Sequence, residues 1–282
     1  MNKYLSIVCI CFLILAIQVG CQKSEKKDSS DTKSESDTTS SIATQSADPP
    51  SITFKMKLWE KGIDFYARGN EPSWALDIDF DQGIKFTTMD GMNIETAIPD
   101  VDKAQDENII RVRAEIDPGD IVITIREESC TDNMSGEAFK NKVEVILNPE
   151  GDGNYRIFKG CGQYVPDYSL HDIWVLTTVN GESLDPERFP DKGSPTFEFY
   201  VEEGRVSGHA GCNNFNGSFF IAEKNVIHFE PFAMTRMMCA DMEIEDLVSK
   251  ALPGKRMKYV IKDMRLTLTG YDGTELVFKK VD

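Results

Sequence analysis

The stretch GHAGCNNFNGSF, residues 208–219, sets a cysteine between glycines and paired asparagines, with aromatic residues close behind. The role of Cys212 decides how the chain is read. As a nucleophile it would need a base nearby to form the thiolate. The chain has three histidines, His171, His209 and His228. On a strand, His209 and Cys212 are three residues apart and tend to point to opposite faces. As a zinc ligand, Cys212 would join Cys239 and a histidine, but no CxxC or HxxxH pair supports that set. No catalytic residue, metal site or cofactor is therefore expected. The remaining roles are half of a disulfide, which depends on the compartment, or a free thiol buried in packing.

The N-terminus speaks to the compartment. Lys3 precedes a nearly unbroken apolar run from Leu5 to Ile17. That run is shorter than the roughly 20 residues a membrane helix needs and has the length of a signal-peptide core. It leads to Gly20-Cys21, the junction of a bacterial lipoprotein, although Gln18 stands where leucine is usual. Cys21 is then the expected site of lipid attachment, and residues 1–20 the signal peptide. Residues 21–50 are rich in Ser, Thr, Asp and Lys and have no aromatic residue. Such a segment buries too little apolar surface to offset the entropy of ordering it, so it is expected to be a disordered tether. Gln22 follows the sorting habit of outer-membrane lipoproteins. The expected place is the bacterial outer membrane, facing the periplasm or the cell surface.

Of the seven cysteines, Cys9 and Cys11 lie in the signal and Cys21 carries lipid. Cys130, Cys161, Cys212 and Cys239 remain in an oxidising compartment. Four cysteines allow three pairings. Position favours one bridge in each half, Cys130–Cys161 and Cys212–Cys239.

Alternation of apolar and polar residues dominates the rest. In WALDIDF, Trp74, Leu76, Ile78 and Phe80 fall on one face, with Asp77 and Asp79 on the other. ITFKMKLW (52–59), IIRVRAEI (109–116), IVITI (121–125) and VEVIL (143–147) repeat the pattern. Period-two alternation indicates antiparallel strands with one buried face. DIDFDQG (77–83) has its glycine one place late for a calcium loop. Strands continue beyond Pro166, interrupted by one helix. Ile244, Leu247, Val248, Ala251 and Leu252 make its apolar face, with Glu243, Glu245, Asp246 and Lys250 opposite and Asp241 as its cap. The fold class is mainly β, a β-rich α+β arrangement. Two small antiparallel β-barrel or sandwich domains are expected, at 51–165 and 166–282, the second with one packed helix. Trp74, Trp174, Phe215, Phe219 and the methionines 234, 237 and 238 are expected in the core.

The net charge is −16, of which −9 falls on residues 51–165 and −6 on 166–282. A body this acidic repels nucleic acid. Its expected partners are the membrane, through the lipid anchor, and a cationic protein or a small apolar ligand.

In order, Trp174 and Leu176, then VSGHAGCNNFNGSF, MTRMMC (234–239), the helix and LTLTGYDGTELVF resemble the META domain, also called HslJ-like. The matching positions include Gly211, Cys212, Asn213, Phe215, Gly217, Met234, Thr235 and Cys239. The resemblance implies a small β-rich fold with one helix, found in envelope lipoproteins and in a heat-shock protein linked to novobiocin resistance, with no catalytic site to carry over. The first half, with Asn70, Glu71, Pro72 and Trp74, resembles an envelope family with a GNEPxW-type motif, which implies no function. The expected function is therefore that of a non-enzymatic envelope lipoprotein acting in binding or in stress and antibiotic protection. The alternatives are an inhibitor of a cationic hydrolase such as lysozyme, or an assembly factor of the outer membrane. Catalysis by Cys212 is the reading least supported.

Overall fold

In the computed structural model, residues 53–97, 101–103 and 108–281 are described. The signal segment, Cys21 and the tether lie outside them. A short helix, α1 (Phe54–Glu60), leads into β1 (Phe65–Asn70), β2 (Ser73–Asp79), β3 (Gly83–Thr88), β4 (Asn93–Ala97), β5 (Val101–Lys103), β6 (Ile109–Glu115) and β7 (Asp120–Arg126). A small hairpin, β8 (Cys130–Thr131) and β9 (Ala138–Phe139), precedes β10 (Asn141–Asn148) and β11 (Arg156–Tyr164). The nine-stranded sheet runs in the order β4-β3-β2-β1-β11-β10-β7-β6-β5. It curls into a nearly closed barrel, and Thr96 Oγ1 donates across the seam to the Glu115 carbonyl at 3.1 Å.

The second sheet comprises β12 (Ile173–Val179), β13 (Glu182–Ser183), β14 (Thr196–Tyr200), β15 (Arg205–His209), β16 (Asn214–Glu223), β17 (Val226–Phe229) and β18 (Ala233–Met234), and then, after helix α2 (Glu243–Ala251), β19 (Arg256–Lys262), β20 (Arg265–Gly270) and β21 (Glu275–Lys280). The last strand pairs antiparallel with β12, so this barrel closes.

Alternation is what builds both interiors. Trp74, Leu76 and Ile78 point inward from β2 at 3% exposure or less. Phe65, Phe86, Phe158, Ile121 and Ile123 fill the first barrel around them, and Trp174, Phe197, Phe199, Phe229 and Phe278 fill the second. Each indole finds an acceptor, Trp74 at the Lys159 carbonyl and Trp174 at the Leu170 carbonyl. One apolar cluster runs continuously through both barrels, and residues 50–282 form one compact unit. Polar contacts cross between the barrels as well. Lys224 Nζ sits 3.0 Å from Asp64 and 2.6 Å from Asp81, and Arg256 pairs with Glu127.

Three expectations fail locally. The alternating run at 52–59 is helical from Phe54. The Thr53 hydroxyl accepts from Met56 N at 3.2 Å, an N-cap that favours a helix start, and the lysines, methionine, leucine and glutamate that follow are good helix formers. Among the described residues of that run only Leu58 is buried, against Tyr66, Phe139, Cys161 and Val165. Asp241 sits one place before the helix cap, which is Met242. Its carboxylate still accepts from Glu243 N at 3.0 Å, so it works as a turn just outside the helix. Glu245 is the third correction. It is buried, not on the wet face of α2.

Candidate functional site

The signature stretch is a structural lock. Cys212 is bonded to Cys239 and Cys130 to Cys161. Each bridge closes a loop of about 30 residues, worth roughly 3–4 kcal/mol in the chain-entropy account. With its sulfur in the bridge, Cys212 has no thiol to ionise. Beside it, Asn213 is buried and fully engaged. Its Nδ2 donates to the Met237 carbonyl at 3.0 Å and to Glu245 Oε1 at 2.6 Å. Its Oδ1 accepts from Thr235 Oγ1 at 2.7 Å and Met237 N at 2.6 Å. Glu245 Oε2 in turn accepts from the backbone N–H of Cys212 and Asn213, at 3.2 and 2.6 Å. The carboxylate thus replaces its lost water with fixed N–H donors, the condition under which burying it is tolerable. One asparagine and one glutamate tie the β15–β16 loop, the segment at 235–239 and helix α2 together.

The neighbouring residues serve that lock. A Cβ on Gly208 (φ +153°) would lie 1.9 Å from the Thr196 carbonyl, so only glycine lets β14 pass. Phe215 stacks on Phe232 with ring centres 5.1 Å apart. His209 Nδ1 has no hydrogen-bond partner in the structure, and burial holds its imidazole below the ordinary value. The expected methionine core is only partly realised. Met234 packs against the apolar cluster, but Met237 is half exposed and Met238 is 91% exposed. The lock fixes Met237 through its backbone and leaves both side chains to line a shallow cleft of about 400 Å³ with Phe189 and Lys192.

The second signature, around Asn70, builds a different kind of place. The indole of Trp74 lies over Gly69, where a Cβ would stand 2.1 Å from its Nε1. The chain then turns through a cis Glu71–Pro72 peptide. Asn70 Nδ2 reaches Asp132 Oδ2 at 2.7 Å and Asn133 Oδ1 at 2.8 Å. Asp132 also accepts from the backbone N–H of Ser135 and Met134, and the Ser135 N–H holds its carboxyl below the usual carboxylate range. This bonding and the Cys130–Cys161 bridge hold the β8–β9 hairpin over the outer face of the first barrel. A cleft of about 620 Å³ opens there, with Arg68, Arg126, Lys142 and Lys159 among its lining residues.

Sequence reading singled out Asn70, Glu71 and the Cys130–Cys161 bridge but missed the four basic residues. They lie on four strands, β1, β7, β10 and β11, and only strand register brings them together. Glu245 was missed because a helical wheel records one neighbouring surface, while α2 is also covered by the 210–214 loop. Among the described residues, no group of three or more His, Cys, Asp or Glu side chains is arranged to hold a metal. Asp77 pairs with Arg68 at 2.8 Å, and Asp79 accepts from the N–H of Asp81 and Gln82.

The META domain family model matches residues 169–282. One NMR structure of a protein is 30% identical over 39% of this chain and 90% of its own, with a TM-score of 0.33. Another, of a protein from Burkholderia xenovorans, is 23% identical over 40% of this chain and 84% of its own, with a TM-score of 0.34. A search of curated proteins gave no match. The closed barrel, its single helix and the Cys212–Cys239 lock all lie within residues 169–282, the span that matches the META domain family.

Proposed function

We propose that this protein is a non-enzymatic, lipid-anchored envelope protein that binds a ligand on the outer surface of its first barrel. The observation that carries this reading is the location of the open space. Both barrel interiors are filled with side chains, whereas the cleft beneath the β8–β9 hairpin is open and bordered by polar groups. Ligand sites are commonly concave, with a few convergent polar groups. The Cys21 anchor supplies the envelope placement, and Cys21→Ala is expected to abolish incorporation of labelled palmitate.

The binding reading is tested with full-length protein in detergent, incubated with envelope extract. Thr131 is exposed and lines the cleft, so Thr131→Trp fills it. A molecule retained by the wild type and lost from Thr131→Trp supports the reading. Identical retention by both sinks it. A cationic protein partner is a second reading, favoured by the net charge of −16. It predicts a protein that elutes as salt is raised and that Thr131→Trp still retains.

A further inference from the structure

The cleft holds an electrostatic arrangement that the fold does not need. Lys142 and Arg126 stand directly opposite each other on β10 and β7, and both line the cleft. Like charges directly opposed on neighbouring strands destabilise a sheet. Three of the four cations are matched by carboxylates. Arg68 pairs with Asp77 at 2.8 Å, Lys159 with Glu144 at 3.6 Å, and Lys142 with Glu128. Arg126 is partly buried and has no carboxylate partner among the described residues. A shortage of acids is not the cause, since the chain has 47 acidic residues against 31 basic ones. A guanidinium cannot shed its proton to relieve the repulsion.

The remaining acids at the cleft do not compensate it. Asp132 is engaged by Asn70 and Ser135. Glu71 is exposed just beyond β1, and β1 is separated from β7 by β11 and β10. No aromatic side chain lines the cleft. What the site offers is a planar fork of donors suited to two oxygens of one anion, with an ammonium across the strand pair.

We propose that Arg126, with Lys142 beside it, binds an oxyanion, the carboxylate or phosphate group of a ligand seated in this cleft. The proposal rests on reading the cleft as the binding site.

Full-length protein is titrated by calorimetry with inorganic phosphate, with acetate and with chloride at matched ionic strength. Saturable one-site binding of phosphate or acetate is expected, weakened at least tenfold by Arg126→Gln. Arg113→Gln serves as the control, because Arg113 is an exposed residue of the same barrel paired with Asp120, and it should bind like the wild type. The tighter of the two oxyanions identifies the headgroup. An equal response to all three anions, or one that survives Arg126→Gln, overturns the proposal. Without added anion, Arg126→Gln should be at least as stable as the wild type, because a repulsion has been removed; a marked loss of stability would contradict the like-charge argument. A phosphate response that survives Thr131→Trp also overturns the proposal, by placing the anion elsewhere, and leaves the extract experiment untouched. If phosphate binds as expected but the extract yields nothing that depends on Thr131, the anion site stands and the wider binding reading falls.

Discussion

Asn213 uses every hydrogen-bonding position of its side chain inside the protein, and that makes it the residue on which the META lock turns. Asn213→Ala would leave the buried Glu245 short of a donor and the part-buried Met237 N–H without an acceptor. A loss of about 3 kcal/mol is expected, read as a fall in the urea midpoint. Asn214 next door is exposed, and its Oδ1 accepts from Lys192 at 2.7 Å; Asn214→Ala should cost less than about 1 kcal/mol. The sequence made the asparagine pair conspicuous without separating the two roles, because β16 begins only at Asn214 and no strand pattern reaches Asn213. The histidines give a second residue-scale prediction. Burial holds the imidazoles of His209 and His228 below the ordinary 6.5. The unfolded chain therefore takes up protons that the folded chain resists, and their share of stability falls as pH drops through 6.5 toward the lower folded values. Urea midpoints measured from about pH 7.5 to 5 should decline less steeply in His209→Gln than in the wild type.

Among the elements, the strands were the legible part, because inward and outward residues alternate with the pleat. The β2 run from Trp74 to Ile78 is buried in the phase its sequence dictates. Helix α1 was not legible. Residues 52–59 alternate like a strand, and the deciding contact, the Thr53 hydroxyl on Met56 N, involves a residue type common in both settings. Strands β1 and β2 pair closely beside the cleft. Gly69→Ala would drive a methyl group into Trp74 and toward the Lys159 carbonyl, 2.7 Å away. A loss of about 1–3 kcal/mol is expected, with a change in tryptophan fluorescence as the check. Opening either bridge tests the elements it staples. Replacing Cys212 and Cys239 together by serine should cost roughly 3–4 kcal/mol, visible as a lower thermal midpoint.

For the molecule as a unit, the contacts between the barrels matter most. None of them was legible, since Lys224, Asp64 and Asp81 are far apart in the chain and charged residues carry no period that marks a partner. A continuous apolar cluster and the Lys224 and Arg256 ion pairs join the two bodies. Calorimetry of the wild type should therefore show one transition. Lys224→Ala combined with Arg256→Ala leaves Asp64 and Glu127 without their partners, and should resolve two transitions, most clearly at high salt.

The closure of the second barrel has a further consequence. Trp174 on β12 lies opposite Lys280 on β21, so the META fold begins and finishes at one spot on its surface. A module with adjoining ends behaves as a cassette. It can be spliced behind, or within, an unrelated host polypeptide without forcing the host to span it. The same geometry makes the order of its strands dispensable. A circularly permuted gene that links residue 280 to 173 and opens the chain at the Asp263–Met264 turn should encode the same barrel.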